Sequence, residues 1–141
     1  MRVIAELCEE HRLLERQGAE LLQVVDADYP DPASVAALRW QMAQTLLEHC
    51  TREDRAVYGR IMDSGDTSAT PIAWYYRRDH DGLTRDFAAY IADWPVVRIG
   101  SEWLLFRAGT ERIMAQLTRR IEREEAVLYP HAIRVLMPRA A

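Results

Sequence analysis

Hydrophobic residues recur at steps of three and four in four long stretches of the chain, and short stretches rich in Pro, Asp, Ser or Gly separate them. This spacing places the hydrophobic residues of each stretch on one face of an α-helix. The first stretch predicts a helix over residues 2–27. The second predicts a helix over residues 32–63, with Asp31 as its N-cap and Pro32 as its first residue.

The third and fourth stretches predict two further helices. Thr70 is followed by Pro71, a pair that again favours a helix start, and Pro95 ends the third helix. The fourth helix is expected to begin after a cap at Ser101, and Pro130 is expected to end or kink it. Four helices with short connections predict an all-α fold, an up-down-up-down antiparallel four-helix bundle.

Polar residues interrupt the predicted buried faces of all four helices. The face of the second helix reads Val35, Leu38, Met42, Leu46, His49, Glu53, Ala56 and Arg60. The face of the fourth reads Phe106, Gly109, Ile113, Leu117, Arg120, Glu124, Val127 and His131. Six ionisable side chains are expected in the bundle centre: His49, Glu53, Arg120 and Glu124 from these two faces, His11 from the first helix and His80 from the third. Burying one such group without a partner costs roughly 2–7 kcal/mol, so these six must compensate one another.

The heights of these residues match between neighbouring helices. A rise of about 1.5 Å per residue places His11 level with His49, and Glu53 level with His80 one turn away. Histidine and carboxylate side chains supplied by facing helices are how bundles bind iron or manganese. A buried hydrogen-bonded network is the alternative interpretation, but three histidines and two glutamates at matched levels favour a metal site.

Length, charge and cysteine content narrow the possible functions. A chain of 141 residues is sized for one domain, residues 1–141. Its net charge of -4 and the lack of a Lys/Arg block exclude the usual nucleic-acid binder. No signal peptide or apolar run long enough for a membrane span is seen, so a cytoplasmic protein is expected. Cys8 and Cys50 form no CxxC pair, and each is expected to be a small buried thiol.

The pattern of candidate ligands resembles that of the hemerythrin-like, or HHE cation-binding, family over nearly the whole chain. That family has His on helix one, HxxxE on helix two, His on helix three and HxxxE on helix four. The matching positions are His11, His49 with Glu53, His80 and Glu124. The run Glu-Glu-Ala-Val-Leu-Tyr-Pro that starts at Glu124 is similar to the usual family ending. The resemblance therefore implies that these five residues are metal ligands.

Arg120 departs from this pattern, because the family has a histidine at that position. A guanidinium stays protonated and has no lone pair to give a metal. In relatives with two irons, the resemblance implies one iron on the histidines of the first two helices and the other on those of the last two, with the glutamates bridging. The half-site of His11 and His49 is then complete, and that of His80 is not.

Two outcomes stay open for the centre. One is a single ion, iron or another divalent metal, on His11, His49, Glu53 and Glu124. The other is no metal, with Arg120 paired bidentately to one of the two glutamates in place of the missing charge.

Three classes of function are consistent with these residues. A non-enzymatic metal-binding or sensing module with an incomplete di-iron site is favoured. A metal-free bundle for protein interaction or signalling, with a protein partner or as a homodimer, is the first alternative, and a non-haem iron redox enzyme is the second. Asp81 and Glu125 are expected to point outward. Any Trp or Tyr that proves exposed would indicate self-association.

Overall fold

Residues 1–137 are described by the computed structural model, and no strand occurs among them. The helical segments are α1 (Arg2–Val25), α2 (Pro32–Glu53), π1 (Asp54–Tyr58), α3 (Gly59–Ser64), α4 (Ala69–Asp93), α5 (Val96–Ser101), α6 (Trp103–Arg123), π2 (Glu124–Leu128) and α7 (Tyr129–Leu136). The second rod of the bundle is α2, π1 and α3 in direct succession, and the fourth is α6, π2 and α7. With α1 and α4 they form the predicted up-down-up-down bundle. None of these helices has the length and apolar character needed to cross a bilayer.

The predicted helix starts are partly confirmed. The Asp31 side chain caps α2, where its Oδ1 accepts a hydrogen bond from the N–H three residues later at 3.2 Å. The start of α4 differs from the prediction, because Asp66 rather than Thr70 provides the cap. Its Oδ1 accepts hydrogen bonds from the backbone N–H groups of Ser68, at 3.0 Å, and Ala69, at 2.9 Å. A carboxylate can satisfy two of the free N–H groups of a helix start, so α4 begins before the proline.

Proline has different effects at its two predicted boundaries. Pro95 follows the end of α4, as predicted. The next residues form the short α5, and α6 begins at Trp103 rather than directly after Ser101. Pro130 does not end the fourth rod, which continues as α7. It is the second residue of α7, where its missing N–H costs little.

The two π segments shift the buried face of their rods by one residue. Regular α-helical spacing predicts burial of Ala56, Arg60, Val127 and His131. The structure instead buries the positions one residue further along: Val57, Ile61, Leu128 and Ala132. A π turn accommodates one extra residue within an otherwise α-helical rod. The predicted seam beyond each glutamate is therefore wrong, and the shift also buries Tyr58 and Tyr129.

Two hydrophobic clusters lie above and below the level of the candidate ligands. On α1, Leu7 belongs to one cluster and Leu14 to the other, with His11 between them. On α4, Tyr76 and Leu83 flank His80 in the same way. Each fully buried aliphatic side chain contributes roughly 1.5–3 kcal/mol. The clusters on both sides therefore hold the polar level in place.

Candidate metal centre

The six polar residues predicted in the core are all buried, with at most 7% of any of them exposed. They form a layer between the two hydrophobic clusters, called the polar layer below: His11, His49, Glu53, His80, Arg120 and Glu124. Because a buried polar group needs a partner, the contacts of this layer decide what it can bind.

Four members of the polar layer bring their donor atoms together. One donor atom from each of His11, His49, Glu53 and Glu124 lies within 4.8 Å of the others. The two histidine Nε2 atoms are 3.2 Å apart, which confirms that these residues are level. His49 Nε2 is 2.9 Å from Glu53 Oε2, and His11 Nε2 is 3.8 Å from Glu124 Oε1. These four residues are called the buried centre below.

In the buried centre, a carboxylate contacts the outer ring nitrogen, Nδ1, of each histidine. His11 Nδ1 is 2.7 Å from Glu125 Oε2, and His49 Nδ1 is 2.8 Å from Glu10 Oε1. Each carboxylate favours the proton on Nδ1 and leaves the lone pair on Nε2, as in the outer shell of protein metal sites. The prediction that Glu125 points outward is wrong. Glu125 follows Glu124 in π2, and its carboxylate contacts His11 of α1.

Two tyrosines that were missed from the sequence contact the buried centre. Tyr58 donates a hydrogen bond to Glu53 Oε1 at 2.6 Å, and Tyr129 donates one to Glu53 Oε2 at 3.0 Å. Each follows a glutamate of the layer by five residues, and the π segments turn that fifth residue inward. The signal in the sequence is the shared spacing of Glu-Asp-Arg-Ala-Val-Tyr and Glu-Glu-Ala-Val-Leu-Tyr.

Arg120 fills the other side of the layer, and each of its three guanidinium nitrogens donates a hydrogen bond. Its Nε donates to Glu124 Oε1 at 3.0 Å, its Nη1 donates to Asp79 Oδ2 at 2.8 Å, and its Nη2 donates to the Tyr58 hydroxyl. Nη2 is 3.8 Å from Glu53 Oε1, too far for a hydrogen bond. The predicted pairing with a glutamate is found, but the predicted bidentate geometry is wrong. Three separate oxygens share the cation instead.

His80 lies apart from the converging donors. Its Nδ1 atom is buried and has no hydrogen-bond partner within residues 1–137. Its ring stacks on that of Tyr58, with 5.8 Å between the ring centroids. Together with Cys50, His80 lines a depression open to solvent between the second rod and α4. His80 is not among the donor atoms that converge within 4.8 Å, and its role as a metal ligand stays a prediction.

Burial and charge set the protonation of the buried centre. Burial and the nearby His49 lower the pKa of His11 to about 3. Burial also acts to lower the pKa of His49, but hydrogen bonds and charges from Glu53 and Glu10 outweigh it and raise that pKa. Burial and the charge of Glu53 raise the pKa of Glu124. Burial acts to raise the pKa of Glu53, yet hydrogen bonds from Glu124 and His49 lower it. Protons thus offset the negative charge here, and a bound cation would displace them.

The donor set fits a metal ion. Two ligand atoms each about 2.1 Å from one ion lie about 3 Å apart, close to the separation of the two Nε2 atoms. Glu124 Oε2 is buried without a hydrogen-bond partner in the described part of the chain, so it has lone pairs to give. A cavity of about 10 Å³ lies among His11, His49, His80, Arg120 and Glu124. Imidazole and carboxylate together suit iron, manganese or zinc.

The family model for the hemerythrin HHE cation-binding domain matches residues 2–132. The chain therefore belongs to that family, and the family resemblance inferred from its sequence is confirmed. A search of curated proteins and a search of solved structures each gave no match. The family match and the buried His and Glu cluster together indicate a cation-binding helical module.

Proposed function

We propose that this protein binds one metal ion per chain, with iron as the expected ion, and acts as a metal-binding or sensing module. One observation carries the proposal: the His11 and His49 Nε2 atoms face each other at 3.2 Å while carboxylates hold both Nδ1 atoms. Two neutral imidazoles so arranged would point lone pairs at each other. A proton or a metal ion between them removes that repulsion, and two further carboxylates complete a ligand set for the metal.

The position of Arg120 favours one bound metal ion per chain rather than two. Its guanidinium bonds Glu124 on the side of the layer where a relative would have the fourth histidine. Two like unit charges 4 Å apart repel by about 4 kcal/mol at an effective dielectric constant of about 20. A second ion beside His80 would therefore lack a ligand and also stand next to a permanent cation.

The surrounding residues suit binding better than turnover of a substrate. Bound iron would supply an electron-transfer centre and a Lewis acid. Glu10 and Glu125 fix the histidine tautomers, and the two tyrosines orient Glu53. The cavity at the ligands, about 10 Å³, has room for a water-sized molecule, whereas pockets for organic ligands span roughly 300–1,000 Å³. A redox enzyme that acts on an organic substrate is therefore the less favoured function.

Elemental analysis of protein purified without chelators tests the proposal. We expect one transition-metal ion per chain in the wild type and none in His49→Ala. His131→Ala is the matched control, because His131 lies outside the polar layer. A metal-free wild type would reject the proposal, two ions per chain would reject the single-ion centre, and a metal other than iron would reject only the choice of iron.

A metal-free interaction module is the second candidate. Trp40 and Trp74 have 67% and 53% of their surface exposed, whereas Trp94 and Trp103 are buried. Large exposed apolar side chains indicate a self-association surface where they form a patch, and these two tryptophans are the residues to test. Sedimentation of the wild type against Trp40→Ser tests this candidate. A dimer that Trp40→Ser dissociates would support it, and a monomeric wild type would count against a homodimer.

A further inference from the structure

A second group of donor atoms lies on the outer side of His11. The Cys8 thiol, a His11 ring nitrogen and a Glu125 carboxylate oxygen lie within 4.8 Å of one another, and this group is called the thiol cluster below. Cys8 is three residues before His11 and so shares its face of α1. Glu125 Oε2 is already 2.7 Å from His11 Nδ1. Cys8 and Glu125 are only half-buried, so this cluster is open to ions from solvent.

We propose that the thiol cluster binds a soft metal ion such as copper(I) or cadmium, and that this site and the buried centre cannot be filled together. Thiolate ligands select soft ions such as copper(I), whereas a centre with two carboxylates and no sulfur suits harder ions such as ferrous iron. The thiol site itself does not depend on the proposed function. The mutual exclusion does, because it requires the buried centre to bind metal.

The exclusion follows from the single lone pair of a neutral imidazole. When His11 Nε2 serves the buried centre, its Nδ1 carries the proton and donates to Glu125. When Nδ1 serves the thiol cluster, the ring proton must move to Nε2, which faces His49 Nε2 at 3.2 Å. The Cys8 thiol gives its proton to solvent as its sulfur binds the ion. One histidine thus makes the protein respond in opposite ways to soft and hard ions, and the coupling is reciprocal.

The contacts around the thiol cluster permit this change. Arg12 contacts Glu125, and it also pairs with Glu15 at 2.9 Å. When Glu125 turns its oxygens to an ion, Arg12 keeps Glu15 as a partner. The ion would therefore enter without leaving a buried charge unpaired.

Cys50 provides a matched control thiol. It is buried, and its sulfur lies 3.9 Å from Thr84 Oγ1. In the described part of the chain it belongs to neither group of converging donors. A signal that depends on Cys8 and not on Cys50 therefore reports the thiol cluster.

Titration of metal-free protein with cadmium, followed by the ultraviolet cadmium–thiolate band, tests the site. We expect a band that saturates at one cadmium ion per chain, persists in Cys50→Ser and is lost in Cys8→Ser. Cys8→Ser changes one atom of a half-buried side chain, and circular dichroism checks its fold. The band also persists in His49→Ala, which lacks a ligand of the buried centre only. No band in the wild type, or a band retained in Cys8→Ser, would overturn the thiol site.

Prior loading with ferrous iron under anaerobic conditions tests the exclusion. Iron should suppress the cadmium–thiolate band in the wild type and leave it in His49→Ala. A full band in iron-loaded wild type overturns the exclusion. The two proposals can fail separately: iron binding without any cadmium–thiolate band removes the thiol site alone, whereas a Cys8-dependent band without iron binding removes the proposed function and the exclusion with it.

Discussion

The two halves of the polar layer have similar burial but opposite hydrogen bonding. In the half of His11 and His49, carboxylates hold both outer nitrogens, and the inner nitrogens converge with two glutamates. In the other half, the Nδ1 of His80 has no partner within residues 1–137, and all three guanidinium nitrogens of Arg120 donate hydrogen bonds. A histidine at the right height in a bundle is thus not yet a metal ligand. Its outer hydrogen bond determines whether its lone pair is presented to an ion.

The largest contrast between the halves should come from removing one histidine from each. His49→Ala should lower metal affinity by more than the roughly 10–100-fold caused by loss of an outer-shell partner, because it removes a ligand. His80→Leu should leave both affinity and stoichiometry unchanged. Isothermal titration with ferrous iron measures both variants. Equal losses would show that the two halves share one site.

Removing the Arg120 guanidinium should cause the next largest effect, a loss of folding stability. Arg120→Leu leaves Glu53 and Glu124 without their buried positive partner, and breaking a buried pair in this way costs about 3–5 kcal/mol. Urea unfolding of metal-free protein measures the loss, and added metal should recover part of it. Arg119→Leu is the matched control, since Arg119 is exposed and such changes are usually within about 0.5 kcal/mol. Similar values for both variants would refute the charge-balancing role of Arg120.

Converting the second half to the family pattern should add an ion. In Arg120→His, the new imidazole, His80 and the two glutamates restore the ligand set that the family has, and the permanent cation is gone. The metal-to-protein ratio should rise from one to two. An unchanged ratio in a folded variant would show that the second half lacks more than this one ligand.

The smallest predicted change concerns the outer hydrogen bond of His49. Glu10→Gln should weaken metal binding by about 10–100-fold, because a neutral amide no longer strengthens the histidine as a ligand. Glu9→Gln is the matched control, since Glu9 is exposed on the same helix. Ferrous iron titration distinguishes the two. If both variants bind ferrous iron as tightly as the wild type, the Glu10 carboxylate does not strengthen His49 as a ligand.

Much of the fold was predictable because hydrophobic spacing survives in all four rods. The Asp31 cap and the stop before Pro95 are local features, so the sequence alone was enough to place them. The polar layer was also predictable, since ionisable residues on a hydrophobic face must meet partners. His11 and His49 meet as the helical rise required.

What could not be predicted depends on contacts between rods. The π segments insert one residue each, and strict α-helical spacing therefore misses Tyr58 and Tyr129. Glu10, Glu125 and Asp79 occupy positions that periodicity assigns to the surface. Their carboxylates reach the layer because neighbouring rods pack beside them, which no single helix reveals.

An anomalous difference map from crystals of iron-loaded protein tests the central claim most directly, because it locates every bound iron. The expected map has one iron peak per chain, coordinated by His11, His49, Glu53 and Glu124, with Arg120 still bonded to Glu124. A peak coordinated by His80, or no peak in the polar layer, would contradict the single-ion centre.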